Sequence, residues 1–213
     1  MERISYPKIQ TVYLRDPENS YKTLLEGQFA RPEFEYLSGN KWYYTEKVDG
    51  TNTRCFWDGE GVNFGGRTDN AQMPMFLIER LQGLFPKELF METEMPPCIL
   101  FGEGYGARIQ KAGGNYIPDG VDFILFDVLI DGWWLERDNV EDVAQKLELK
   151  VVPIVGEGTL LDAVEMVKKG FKSQVAQADI MAEGLVMKPQ VTLMSRSGQR
   201  VITKIKHRDF QNG

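Results

Sequence analysis

The feature that most constrains this chain is a series of short strand-like runs closed off by glycine turns. Lys41-Trp-Tyr-Tyr-Thr45 is rich in aromatic and β-branched residues and reads as a strand. Gly50, Thr51 and Asn52 break it, and Thr53 to Trp57 reads as the returning arm of a hairpin. Asp58-Gly-Glu-Gly61 is a turn signal, and Val62 to Thr68 follows as a third strand. Cys98 to Glu103 reads as a buried strand ending in a carboxylate and a bend at Gly104 and Gly106. Phe123 to Ile130, the turn Asp131-Gly132 and Trp133 to Leu135 form a second hairpin. Ala182 to Lys188 and Arg200 to Lys206 are the last two strands. Helical spacing covers Met73 to Phe85, Asn139 to Leu147 and Thr159 to Lys169. The third of these helices has Thr159 as N-cap, Lys168 and Lys169 in its last turn and Gly170 to stop it. Residues 1–40 show no clean period and read as an irregular lead-in with short helices around Tyr21 to Glu26. Strands joined by glycine turns, without regular helix alternation, specify an α+β plan. The expectation is two antiparallel β-sheets flanked by helices, with the ligand cleft between the sheets.

A chain of 213 residues is long enough for one domain with a sizeable core, and no repeat, low-complexity tract or linker divides residues 1–213. No apolar run approaches a membrane span, and the first residues lack a signal-peptide core, so a cytoplasmic protein is expected. Cys55 and Cys98 sit in apolar strand contexts without metal spacing and read as buried free thiols. The net charge of −6 argues against nonspecific coating of nucleic acid but leaves room for a local basic groove. With His207 as the single histidine, a multi-histidine metal site is excluded.

The chemistry is concentrated around Tyr44 to Arg54. Lys47 stands at a strand end, just before a tight turn, on a rigid support. A lysine is a poor nucleophile while protonated, at a reference pKa of about 10.4, and burial or nearby positive charge frees the amine. The same tetrapeptide, Lys47-Val-Asp-Gly50, is also what an ordinary hairpin with an exposed lysine looks like. Other features must decide. Asp49, Glu103 and Glu183 each sit at a strand end or beside a glycine, and Lys204 and Lys206 are two apart on one strand and share a face. Arg67 follows Gly65-Gly66, and Phe126 lies in an otherwise apolar strand. Singly, these are a solvated turn, an exposed strand face and a core aromatic.

Taken together and in order, these segments resemble the covalent nucleotidyltransferase superfamily of ATP-dependent ligases and mRNA capping enzymes, from Glu46 to Lys206. Glu46-Lys-Val-Asp-Gly-Thr-Asn52, with Arg67-Thr68 twenty residues after Lys47, looks most like the phage-type RNA ligases that seal nicks in duplex RNA. Phe101-Gly-Glu-Gly-Tyr-Gly106, Phe123 to Asp127, Glu183 to Lys188 and Lys204-Ile-Lys206 follow in the family's order. The resemblance implies that Lys47 attacks the α-phosphate of ATP and carries AMP, and that Lys204 and Lys206 grip phosphate oxygens and help depress the pKa of Lys47. It implies Mg²⁺ (or Mn²⁺) held largely through waters by Asp49, Glu103 and Glu183, with Glu183 also contacting the nucleotide. Phe126 would stack on adenine, Glu46 would read its amino edge, and Asn52 and Arg67 would contact ribose and phosphates. Arg67 is also a candidate for the acceptor 5′-phosphate.

Asp49 stands where some close relatives have histidine; aspartate is the form shared with DNA ligases and capping enzymes. Only seven residues follow Lys206, where relatives append a further domain, so the expectation is a bare catalytic domain. Its partner would be a nicked RNA duplex or RNA/DNA hybrid, with an accessory protein as a possible source of grip and no membrane. The competing readings are a DNA ligase, a GTP-dependent mRNA guanylyltransferase, and a catalytically idle nucleotide- or RNA-binding module.

Overall fold

The structure, a computed structural model, describes residues 3–211. In chain order the elements are β1 (Gln10–Thr11), β2 (Tyr13–Arg15), β3 (Leu24–Phe29), α1 (Pro32–Tyr36), β4 (Trp42–Glu46), β5 (Thr51–Trp57) and β6 (Val62–Gly66). There follow α2 (Met75–Leu84), α3 (Lys87–Glu92), β7 (Cys98–Gly106), α4 (Gly113–Tyr116), β8 (Val121–Ile130), β9 (Trp133–Trp134) and α5 (Arg137–Lys146). The chain closes with β10 (Lys150–Val151), β11 (Ile154–Gly158), α6 (Leu160–Lys169), β12 (Gly184–Pro189) and β13 (Thr203–Lys206). This is the expected α+β plan of sheets flanked by helices. By compactness the chain divides into one unit of Met1–Pro7, Asp49–Val152 and Ala176–Ala178, and a second of Lys8–Val48, Pro153–Val175 and Asp179–Gly213.

The first unit is built on a sheet of order β10-β8-β7-β5-β6, with β9 added to β8. Strand alternation gives it two unlike faces. Cys55, Trp57, Cys98, Leu100, Phe123 and Leu125 point into a core closed by Leu77 and Leu81 of α2, Phe90 of α3 and Val140 and Val143 of α5. The β7–β8 ladder slips between Phe101 and Gly102, so Phe101 faces Asp127 while Gly102 faces Leu125. Phe126 is the extra residue of that bulge. Across it the core-facing parity changes, from Phe123 and Leu125 to Val128. Gly102 has to be glycine, because a Cβ there would lie 2.2 Å from the Phe123 ring.

The second unit carries a sheet of order β1-β13-β12-β4-β11 and a separate β2–β3 ribbon. Trp42 and Tyr44 of β4, Leu185 and Met187 of β12 and Ile205 of β13 form one face. Leu160, Ala163, Val164 and Val167, at the spacing of one helix stripe, lay α6 over it. Thr159 and Asp162 cap that helix reciprocally, as the sequence predicts for Thr159.

Three expectations need correction. The strands on either side of Gly50 are not a hairpin: β4 pairs with β11 and β12, whereas β5 pairs with β6 and β7. Residues 10–29 hold strands, not a helix around Tyr21 to Glu26, and the helix of this region, α1, comes after them. Each large sheet also contains one parallel pairing, β1 with β13 and β10 with β8, beside its antiparallel ladders.

Candidate active site

In the second unit, the face of the sheet opposite α6 collects the lysines. In register, Thr45 sits beside Val186 and Val186 beside Lys204, while Gly184 sits beside Lys206. Their alternation with Leu185 and Ile205 sends Lys204 and Lys206 away from the apolar core, as their two-residue spacing predicts. The Lys47 amide donates to the Gly184 carbonyl, which extends the β4–β12 pairing by one residue and fixes the backbone that carries the amine.

Glu183 binds two of these lysines at once. Lys47 Nζ lies 2.6 Å from its Oε2, and Lys206 Nζ lies 2.5 Å from its Oε1. Such charge-assisted bonds are short, and using one oxygen per lysine fixes both ammonium groups relative to each other. Burial would raise the Glu183 pKa, but Lys47 and Lys206 together bring it below the ordinary carboxylate value. Lys204 has no ion pair among the described residues. Burial first, then the charges of Lys47 and Lys206, lower its pKa to about 8. Three ammonium groups gathered this closely suit the binding of phosphate oxygens.

Glu46 ends β4 on the other face and is buried. Its Oε1 accepts the Ser173 hydroxyl and its Oε2 the Gln174 amide at 2.7 Å. Burial raises its pKa, against the lowering effect of those bonds. Sequence reasoning missed Ser173 and Gln174, because nothing local in a loop more than a hundred residues away marks it as the partner of this carboxylate.

In the first unit, Asn52 of β5 and Glu103 of β7 are cross-strand partners. They share the face opposite the helices with Arg54 and Phe101. Asn52 Oδ1 is buried without a hydrogen-bond donor among the described residues. A buried carbonyl oxygen without a partner costs about 1–3 kcal/mol, and a hydroxyl-bearing ligand would satisfy it. Phe126 is half-buried at its bulge, with the Tyr6 ring edge-on at 5.0 Å and the Tyr6 hydroxyl on Asp127 at 2.5 Å. Asp49 donates its amide to the Tyr116 hydroxyl at 3.2 Å. Gly50 approaches β7 so closely that a Cβ would stand 2.3 Å from the Gly104 carbonyl oxygen and 2.8 Å from Glu103 Cγ. The glycine after Asp49 is therefore a packing requirement between this turn and the strand that carries Glu103.

Arg67 is exposed in the turn after β6. The buried arginine nearby is Arg54, which donates to the carbonyls of Gly66 and Ile4 and to Asp69. It staples the N-terminal segment to β5 and β6, a role its place in a strand-like run does not advertise. Among the described residues, no three His, Cys, Asp or Glu side chains converge as a direct metal cage. No helix among them is long and apolar enough to cross a membrane.

The fold belongs to a class already seen in solved structures. It is similar to the Naegleria gruberi RNA ligase in a variant with ATP and Mn (TM-score 0.68, 20% identity, 95% of this chain and 56% of that one). An apo variant of that enzyme matches with TM-score 0.67 at 19% identity, over 97% of this chain and 58% of that one. The same ligase with pyrophosphate matches with TM-score 0.65 at 20% identity, over 95% and 57%. This chain therefore spans little more than half the length of those structures. The RNA ligase family model matches residues 40–206, and the chain belongs to that family.

Proposed function

We propose that this protein is an ATP-dependent polynucleotide ligase acting on RNA, joining 3′-hydroxyl and 5′-phosphate ends through a covalent lysyl-AMP. The observation that carries the reading is the lysine cluster: Lys47 held by Glu183, with Lys206 on the same carboxylate and Lys204 beside them. Membership of the RNA ligase family supports it, as does a fold shared with a ligase seen with ATP and Mn and with pyrophosphate.

In the first step the Lys47 amine, having given up a proton, attacks the α-phosphorus of ATP. A P–N bond forms, the bond to the β-phosphate oxygen breaks, and pyrophosphate leaves. Lys204 and Lys206 hold phosphate oxygens as charge moves onto the leaving group. In the second step a 5′-phosphate oxygen attacks the same phosphorus and frees Lys47. In the third a 3′-hydroxyl attacks the activated 5′-phosphorus, a phosphodiester forms and AMP departs.

Asn52, with its unsatisfied buried oxygen, is proposed to accept from the ribose, and Phe126 to offer its half-buried ring to adenine. Glu46 keeps acceptor capacity beyond Ser173 and Gln174 for the adenine amino group. Arg67, exposed, would grip a 5′-phosphate. Asp49, Glu103 and Glu183 are hard oxygen donors suited to Mg²⁺ or Mn²⁺, an ion that keeps several of its waters. Such an ion would neutralise phosphate charge.

The test is sealing. A nicked duplex with RNA on both sides and a 5′-phosphate at the break should be joined with ATP and Mg²⁺, and not with GTP. Joining that proceeds without nucleotide, or only with GTP, would refute the proposal. Replacing either side of the nick with DNA reads how much of the preference is for RNA.

A further inference from the structure

The second unit contains a groove of about 970 Å³ that reaches from Lys204 and Lys206 to the N-terminal strands. Its walls are strongly basic in a chain whose net charge is −6. Lys8 comes from the segment before β1, Lys22 from the loop between β2 and β3, and Arg208 from the turn after β13. All three are exposed, and none is ion-paired among the described residues. Arg15 and Arg31 also line it, each already oriented: Arg15 on Asp209 at 2.9 Å, Arg31 on Glu33 at 3.1 Å.

One side of this groove is rigidly built. Asp209 is buried, and it accepts from Arg15 through Oδ1 and from the Lys206 amide through Oδ2. Arg15 in turn donates to the carbonyl of Tyr21 at 3.2 Å. Ser20 and Tyr21 both have positive φ, 52° and 61°, a turn that costs energy for residues other than glycine. That chain of bonds holds Tyr21 on the groove wall with 63% of its surface exposed. Unpaired cations along a groove with an exposed aromatic ring suit one class of ligand, a nucleic-acid strand that offers regularly spaced phosphates and stackable bases.

We propose that this groove is the track for the phosphodiester backbone of the strand whose end is delivered to Lys204 and Lys206. Lys8, Lys22 and Arg208 contact successive phosphates, and Tyr21 stacks on a base. The direction of delivery rests on the ligase reading; binding of the strand in the groove does not. A triphosphate tail is the other source of the same chemistry, but a nucleotide gripped at Lys204 and Lys206 offers too few phosphates to span cations spread over the whole groove.

Fluorescence anisotropy with a labelled 5′-phosphorylated RNA, across a salt series, tests this on the full chain. The variant combining Lys8→Ala, Lys22→Ala and Arg208→Ala should bind at least tenfold more weakly. Its log–log salt slope should be shallower by roughly two to three, about one per lost phosphate contact. Tyr21→Ala alone should weaken binding with the slope unchanged. The control, Lys87→Ala with Lys146→Ala on the first unit, should change neither quantity. Unaltered affinity and slope in the triple variant would overturn the proposal. So would intact RNA binding with a raised ATP KM for self-adenylylation, which would assign the groove to the triphosphate. A wild-type protein that takes up no label from ATP, yet loses RNA binding in the triple variant, would sink the ligase reading and leave the groove standing.

Discussion

In the first unit the buried charges are answered nearby, whereas the second gathers three lysines on one face of its sheet. Arg54, fully buried, gives its guanidinium to two backbone carbonyls and to Asp69. Burial pushes Asp122 up, but hydrogen bonds from Lys150, the Phe123 amide and Arg80 bring its pKa below the ordinary value. The second unit instead brings Lys47 and Lys206 onto the carboxylate of Glu183, with Lys204 close enough for its pKa to be lowered by both. Neutralised burial serves stability, while the crowding of like charges around Lys204 costs stability.

Core truncation in the first unit should give the largest effect. Phe123→Ala removes a fully buried ring seated over Gly102 and packed edge-on to Phe85, and should cost about 3–5 kcal/mol by urea denaturation. A loss below about 1 kcal/mol would mean that this core is not the scaffold described. Next comes Glu183→Gln, which removes the negative charge that Lys47 and Lys206 share. Its cost should be about 2–4 kcal/mol, partly recovered in high salt as the lysines are screened. If denaturation shows no loss, the pairings in this cluster contribute nothing.

The smallest effect is the sharpest test of the contrast, because it runs opposite to the other two. Folding lowers the pKa of Lys204 from 10.5 to about 8, so the folded chain binds fewer protons than the unfolded one between those values. Its charge is therefore a cost below about pH 8, and stability rises with pH across that window. Lys204→Met should raise Tm by a few degrees at pH 7, and the gain should shrink to nothing by about pH 10.5. The same variant should adenylylate poorly, having lost a grip on phosphate. A variant that is less stable at pH 7 would show that Lys204 is not held at a cost.

Much of this was legible in the sequence wherever the pattern is local. Lys204 and Lys206 share a face because strands alternate, and Thr159 caps α6 because the capping chemistry lies within three residues. The bulge that exposes Phe126 is not local: it comes from β7 and β8 slipping past each other at Gly102, and the run Phe123 to Asp127 reads simply as an apolar strand. The turn at Gly50 misleads in the same way. It has the composition of a hairpin, yet the partners of β4 are β11 and β12, more than a hundred residues away. The basic groove was hidden because Lys8, Arg15, Lys22 and Arg208 come from segments without a period, gathered by the β1–β13 pairing and by Asp209. Pairing across long sequence separation is set by global packing, which no single window encodes.

In the proposed reaction the amine of Lys47 is the group that carries AMP. Intact-mass and peptide mass spectrometry after incubation with ATP and Mg²⁺ should find one adenylyl group, on Lys47, in an acid-labile linkage, and none in Lys47→Ala. An adenylyl group on any other residue, or undiminished labelling of Lys47→Ala, would contradict it.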